Sequence, residues 1–254
     1  MDVNKNSYTF MFAGVMVVIV AALLSFAATS LKPMQDANVK REKMQNILSS
    51  IGVDVSADEA EETYKQYIKQ ELVVNNNQLK EGVVAFDVDM AKEIKKAPTE
   101  RDAPLYIAEK DGETFYIIPM RGKGLWGPIW GYIALKGDMN TISGAIFDHK
   151  TETPGLGAEI STAIFMDPFA GKKMYNADGE FVSIMVMKGN ASGDHEVDGI
   201  SGGTITSVGV QDMITDCMQS YTTFLKDFSK GETEEVAPAA TDATLSTDTA
   251  TIAE

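Results

Sequence analysis

Apolar positions along this chain pass through three regimes: an unbroken run, then helical spacing, then strand-like stretches between turns. The unbroken run comes first. No charged residue lies between Lys5 and Lys32, and positions 10 to 24 read FMFAGVMVVIVAALL. A helix of roughly 20 to 25 such residues spans about 30 to 37 Å, enough for the hydrocarbon core of a bilayer. A secretory signal would carry a clear basic n-region, a shorter apolar stretch and an Ala-x-Ala-type cleavage site. Here only Asp2 and Lys5 precede the run, and Ala27-Ala28-Thr29 is a poor cleavage signal. A core helix rarely stays apolar around its whole circumference. The pattern predicts a short N-terminal segment over 1–7 and a retained transmembrane helix over 8–31. Lys32, Lys40, Arg41 and Lys43 follow it, but Asp36 and Glu42 interleave and large domains translocate regardless of such charges. Charge leaves the orientation open.

Helical spacing follows. Val39, Ile47, Leu48 and Ile51 extend the span as a stalk, and Ala60, Tyr64, Tyr67, Ile68 and Leu72 mark a helix over 57–72. Residues 32–80 thus read as a helical stalk and the beginning of a domain whose main body covers 81–230. Strands are predicted at Val83–Val88, on both sides of Asp111-Gly112, at Ile129–Leu135, at Thr141–Asp148 and at Phe181–Met187. Val208 to Phe228 keeps Met213, Ile214, Cys217, Met218, Tyr221, Phe224, Leu225 and Phe228 on one apolar face, with Cys217 as a buried thiol. The fold class is α+β: one transmembrane helix, then a domain built on a mainly antiparallel sheet. Residues 231–254, with six acids and no base, lack a packable face and read as a disordered acidic tail.

Composition narrows the chemistry. The formal net charge is −15 over 254 residues, which argues against nucleic acid as a partner. One cysteine and two histidines cannot build a disulfide framework or a Cys/His metal site, so redox or group-transfer chemistry here must use an organic cofactor or carboxylates. His149 and His195 are each isolated in sequence and read as structural or exposed histidines. Asp87 and Asp89 lack the remaining ligands of a calcium loop, so no metal site is expected.

Three glycine-rich segments remain. Arg121 to Gly131 packs four glycines and two tryptophans into eleven residues. Read alone it is a turn opening a strand, with Trp126 and Trp130 as core anchors. Thr151-Glu-Thr-Pro-Gly-Leu-Gly-Ala-Glu159 is a loop that either aims groups at a ligand or is an ordinary capped turn. Asp198-Gly-Ile-Ser-Gly-Gly-Thr-Ile-Thr-Ser207 runs into the long C-terminal helix. It offers Thr204, Thr206 and Ser207 at a helix start, a natural phosphate site; composition and spacing alone favour a capped start over a ligand site. It contains no Gly-Lys-Ser/Thr triplet and is no Walker A loop.

Together the anchor, Gly124-Leu-Trp-Gly127, Glu152-Thr-Pro-Gly-Leu-Gly157 and Asp198-Gly-Ile-Ser-Gly-Gly-Thr204 resemble the C subunit of the bacterial sodium-translocating NADH:quinone reductase. The likeness runs from the anchor to about Phe228. In that family a Ser-Gly-Ala-Thr motif carries FMN through a phosphoester to its threonine, and Gly203 stands here where the alanine is usual. Carried over, the resemblance implies covalent FMN on Thr204, cradled by Ser201, Gly202, Gly203 and Thr206. Glu152, Thr153, Leu156 and Gly157 would lie along the flavin with Trp126, and Lys188 would place a cation near it. No residue is implied to be catalytic, and the subunit is expected to work within a reductase complex and not alone.

The implied function is electron relay within a sodium-pumping NADH:ubiquinone or menaquinone reductase. NADH is oxidised on a different subunit, and FMN here passes electrons to neighbouring subunits. The resemblance further implies a flavin transferase for maturation and a single-pass location in the bacterial inner membrane, flavin domain on the periplasmic side. The related G subunit of the Rnf ferredoxin:NAD oxidoreductase complex shares the flavinylation motif, but Gly-Leu-Trp and overall length fit the quinone reductase better. A membrane-anchored flavin sensor and a cofactor-free scaffold are readings from other classes.

Overall fold

The computed structural model describes residues 6–229, so the acidic segment 231–254 lies outside the described residues. The chain opens with a single helix, α1 (Asn6–Ser49), in which span and stalk are continuous. At 44 residues it is about 66 Å long. It is long and apolar enough to cross a membrane: its best 18-residue window has mean hydropathy 2.6, with none of it buried. Only its last turns touch the domain. There Ile47 and Leu48 are fully buried, and the Lys43 ammonium donates to the Phe86 carbonyl while sitting 4.3 Å over the Phe86 ring.

A six-stranded sheet forms the centre. In sequence order α2 (Ala60–Tyr67), β1 (Ile68–Asn75), β2 (Gln78–Leu79), α3 (Met90–Glu93), β3 (Ala103–Lys110), β4 (Glu113–Lys123), β5 (Pro128–Leu135) and β6 (Ile142–His149) follow α1. The strand order is β2-β1-β3-β4-β5-β6, with every pair antiparallel. The β3–β4 hairpin turns on Asp111 (φ 54°) and Gly112 (φ 81°). Two successive left-handed residues give the type I′ geometry that matches strand twist, as the Asp-Gly pair predicts. Beyond the sheet come α4 (Ala163–Met166), a parallel pair β7 (Met185–Met187) and β8 (Glu196–Asp198), then α5 (Thr204–Met218) and α6 (Thr222–Ser229).

Alternation along the central strands divides the core into two layers. Leu105, Ile107, Tyr116, Ile118, Ile133 and Leu135 face α5, α6 and the loops before them. Tyr106, Ala108, Phe115, Ile117, Tyr132 and Ala134 face Ile47, Leu48 and Ile51 at the end of α1 and Tyr64 on α2.

Four expected elements differ. Val83–Val88 is no strand: it holds a 3-10 turn at Ala85–Asp87, which packs Ala85 and Phe86 across the α1-side core layer. The helix expected over 57–72 stops at Tyr67, because Ile68–Asn75 pairs with β3 along its length; a short apolar run does not distinguish helix from buried strand. In Phe181–Met187 only the last three residues are strand, since Ser183 is left-handed (φ 60°) and interrupts extension. The C-terminal helix is two helices, broken where Tyr221 turns inward and its hydroxyl donates to the Pro104 carbonyl at 2.7 Å.

Candidate functional site

The first turn of α5 sets the geometry. Gly202 is left-handed (φ +77°), a conformation that requires glycine, and its Cα faces the exposed tip of Leu156, 2.7 Å from where a Cβ would stand. Gly203 then caps α5 without any side-chain capping bond. The Ser207 amide donates to the Gly203 carbonyl at 3.0 Å, which leaves the amides of Thr204, Ile205 and Thr206 ahead of the helical ladder. A helix start with free N–H groups favours an anion.

Three hydroxyls stand at this turn with different fates. The Ser207 hydroxyl is buried, donating to the Gly203 carbonyl and accepting from the Ile200 amide, both at 3.0 Å. The Thr206 hydroxyl is buried and donates to Glu152 Oε2 at 2.6 Å. Thr204 is exposed, and its hydroxyl makes no hydrogen bond among the described residues. Position close to the helix predicts that Thr206 and Ser207 are consumed in capping. They are consumed, but by a carboxylate and by the turn before the helix.

Glu152 joins the segments. It is 5% exposed, and its Oε1 accepts from the Trp126 and Gly127 amides at 2.8 and 3.2 Å. Burial raises its pKa, and the Thr206 hydroxyl with the backbone amides of 125–127 outweighs that, so its carboxyl sits below the usual range. Gly157 is fixed by the same contact: a Cβ there would lie 2.5 Å from both Glu152 Oε2 and Thr206 Oγ1.

The result is an open cleft of about 240 Å³ lined by Leu125, Trp126, Glu152, Thr153, Leu156, Gly157 and residues 202–206. Of the residues expected in the site, Trp126, Glu152, Thr153, Leu156, Gly157, Gly202, Gly203, Thr204 and Thr206 line it. Ser201 and Lys188 are exposed and do not. Leu125 and Ile205 are additions that sequence reasoning missed. The sequence offered only their place inside the glycine- and threonine-rich segments; their exposure, 48% and 60%, is seen in the structure alone. The core-anchor reading of the tryptophans is corrected: Trp126 is 67% exposed, and Trp130 is half-buried with the Arg121 guanidinium 5.9 Å from its ring. Apolar rim, helix start and free hydroxyl suit a flavin nucleotide, with a ring system to cover and a phosphate to hold.

Other candidates carry less. Among the described residues no cluster of three or more His, Cys, Asp or Glu suits a metal. Cys217 is buried, as expected, and burial pushes its thiol up to about 11. His195 Nδ1 bonds the Lys173 carbonyl at 2.6 Å, whereas His149 Nδ1 is buried without a hydrogen-bond partner, contrary to the expectation of a satisfied or exposed ring.

Comparison with known proteins agrees with this geometry. The FMN-binding domain family matches residues 124–219, which contain segments 124–127, 151–159 and 198–207. The chain is 32% identical over 227 residues to the C subunit of Na(+)-translocating NADH-quinone reductase from Haemophilus ducreyi, covering 82% of this chain and 88% of that protein. It is 33% identical to the Vibrio alginolyticus counterpart over 213 residues, covering 76% and 83%. The crystal structure of the C subunit from Parabacteroides distasonis matches with TM-score 0.71 and 45% identity, covering 77% of this chain and 96% of that one. Shewanella oneidensis NqrC matches with TM-score 0.65 and 26% identity, covering 76% and 98%. With an apolar anchor ahead of the domain and the three loops meeting at one cleft, this chain belongs to the C-subunit family of Na(+)-translocating NADH-quinone reductase.

Proposed function

We propose that this chain is the electron-relay subunit of a sodium-pumping NADH:quinone reductase and carries FMN as a phosphoester on Thr204. The observation that carries the reading is the state of the three hydroxyls: Ser207 and Thr206 are engaged, and Thr204 stands free at the mouth of the cleft. Thr204 Oγ1 would hold the flavin phosphate as an ester, with the free amides at the start of α5 stabilising its charge. Leu125, Trp126, Leu156 and Ile205 would exclude water from the ring system. Bound FMN supplies the redox chemistry; the protein fixes its distance to partners and tunes its environment.

A covalent link suits a flavin outside the cytoplasm, where a dissociated cofactor has no ready resupply. The family resemblance supports a periplasmic domain on an inner-membrane anchor, a flavin transferase that installs the ester, and the other reductase subunits as electron partners. Relay and sensor differ in one experiment. Deleting this subunit from the native complex is expected to abolish NADH-driven quinone reduction and spare NADH oxidation by artificial acceptors. Quinone reduction that survives the deletion would remove the relay role.

A further inference from the structure

Glu152 presents an electrostatic puzzle. Its position lines a cleft that the proposed function gives to a phosphate-bearing ligand, yet its carboxyl is held below the usual range and is therefore ionised at neutral pH. Two anions in one cleft repel. A neutral side chain of similar size would line the wall without that repulsion.

What the carboxylate does is mechanical. Its two oxygens bind different segments: Oε1 takes the Trp126 and Gly127 amides, and Oε2 takes the Thr206 hydroxyl. These partners lie 26, 25 and 54 residues from Glu152 in sequence. The neighbouring glycines leave room for it. A Cβ on Gly124 would lie 2.6 Å from Oε1, and one on Gly157 would lie 2.5 Å from Oε2. Charge-assisted hydrogen bonds are about twice as strong as neutral ones, so an ionised acceptor grips all three donors more firmly than an amide would.

We propose, resting on the flavin reading of Thr204, that Glu152 is the positioning residue of this site. Its carboxylate clamps the 124–127 loop to the first turn of α5 before the flavin arrives. The clamp stands Leu125 and Trp126 at the cleft and turns the Thr206 hydroxyl inward, leaving Thr204 as the open acceptor. Glu152 itself takes no part in bond making; it acts through the loop and the helix it joins.

The test uses the full-length chain and its Glu152→Ala, Glu152→Gln and Thr206→Val variants, each first checked for a cooperative thermal transition. Amide exchange is followed at Trp126 and Gly127 in chains produced without the flavin transferase. The FMN mass increment is followed over time in chains produced with it. Glu152→Ala is expected to speed exchange at both amides and slow loading by about tenfold, the equivalent of roughly 1.4 kcal/mol. Glu152→Gln keeps one acceptor oxygen but loses the charge and the second acceptor, and is expected to fall between Glu152→Ala and the wild type in both exchange and loading. Thr206→Val removes one arm of the clamp and is expected to slow loading by about threefold while Trp126 and Gly127 stay protected.

Wild-type loading in a folded Glu152→Ala chain overturns the proposal, as does slow loading with unchanged exchange at both amides. If Glu152→Ala does not fold, wild-type loading in Thr206→Val overturns it instead. A wild-type chain that gains no flavin mass under the same conditions contradicts the Thr204 reading. Exchange in the unloaded chains still decides the clamp.

Discussion

The two faces of the central sheet each hold a charged group, buried on one and half-buried on the other, and they treat it in opposite ways. On the cleft side Glu152 meets three donors, so its charge is satisfied and its carboxyl sits low. On the anchor side Lys43 lies against the Phe86 ring and carbonyl. Burial there lowers its pKa to about 8, against the pull of Glu71 and Asp87. One face is organised around a charge it needs; the other tolerates a charge carried in by the last turns of the membrane helix. Anchoring and ligand binding are thereby separated by the thickness of one sheet, and substitutions on the two faces should produce separable defects.

The sharpest separation comes from the cleft side. Thr204→Val is expected to abolish the covalent flavin increment in the intact mass while leaving the thermal midpoint near that of the wild type, because the exposed hydroxyl bonds nothing among the described residues. The reverse pattern is expected from Leu48→Ala on the anchor side. Leu48 is fully buried beneath the sheet, so the truncation should cost about 2 to 5 kcal/mol by urea unfolding, with the increment retained on Thr204. A Leu48→Ala chain that stays folded but loses the increment would break the division between the faces.

Smaller effects sharpen it. Thr206→Val removes a hydrogen bond to a buried carboxylate and should cost about 1.5 to 3 kcal/mol by the same unfolding assay. Its flavin should still map to Thr204. Acidity separates the two charges. A carboxyl lowered in the folded state contributes stability that is complete above its unfolded value and lost as pH falls through its folded one. Glu152→Gln should therefore flatten part of the acid limb of the stability profile. Lys43 works in the other window: from about pH 8 to 10.5 the unfolded chain holds the proton that the folded chain releases. The wild type should gain stability relative to Lys43→Met as pH rises through that range. Parallel profiles would show that Lys43 keeps an ordinary pKa.

Much of this fold was legible where one local signal dominated. Asp111-Gly112 dictated its hairpin, and the charge-free run to Lys32 dictated the apolar helix. Legibility failed where tertiary packing chose between local options. Ile68 to Leu72 could continue a helix, but pairing with β3 made it strand; Val83 to Val88 could be strand, but a core surface took its apolar side chains. The site divides similarly. Thr204 and Glu152 both stand out through their motifs, while the contact that joins three loops does not, because no sequence spacing reveals a bond between Glu152 and Thr206. Trp126 reads as core from sequence, since a tryptophan in a glycine-rich turn does not tell which way it faces.

The most direct test of the account is peptide mapping of the unmutated chain isolated from the membranes of its native host. A single peptide spanning 198–207 is predicted to carry the FMN mass, with fragmentation placing the phosphoester on Thr204. Flavin on Thr206 or Ser207, or a peptide from an intact complex with no flavin mass, would contradict it.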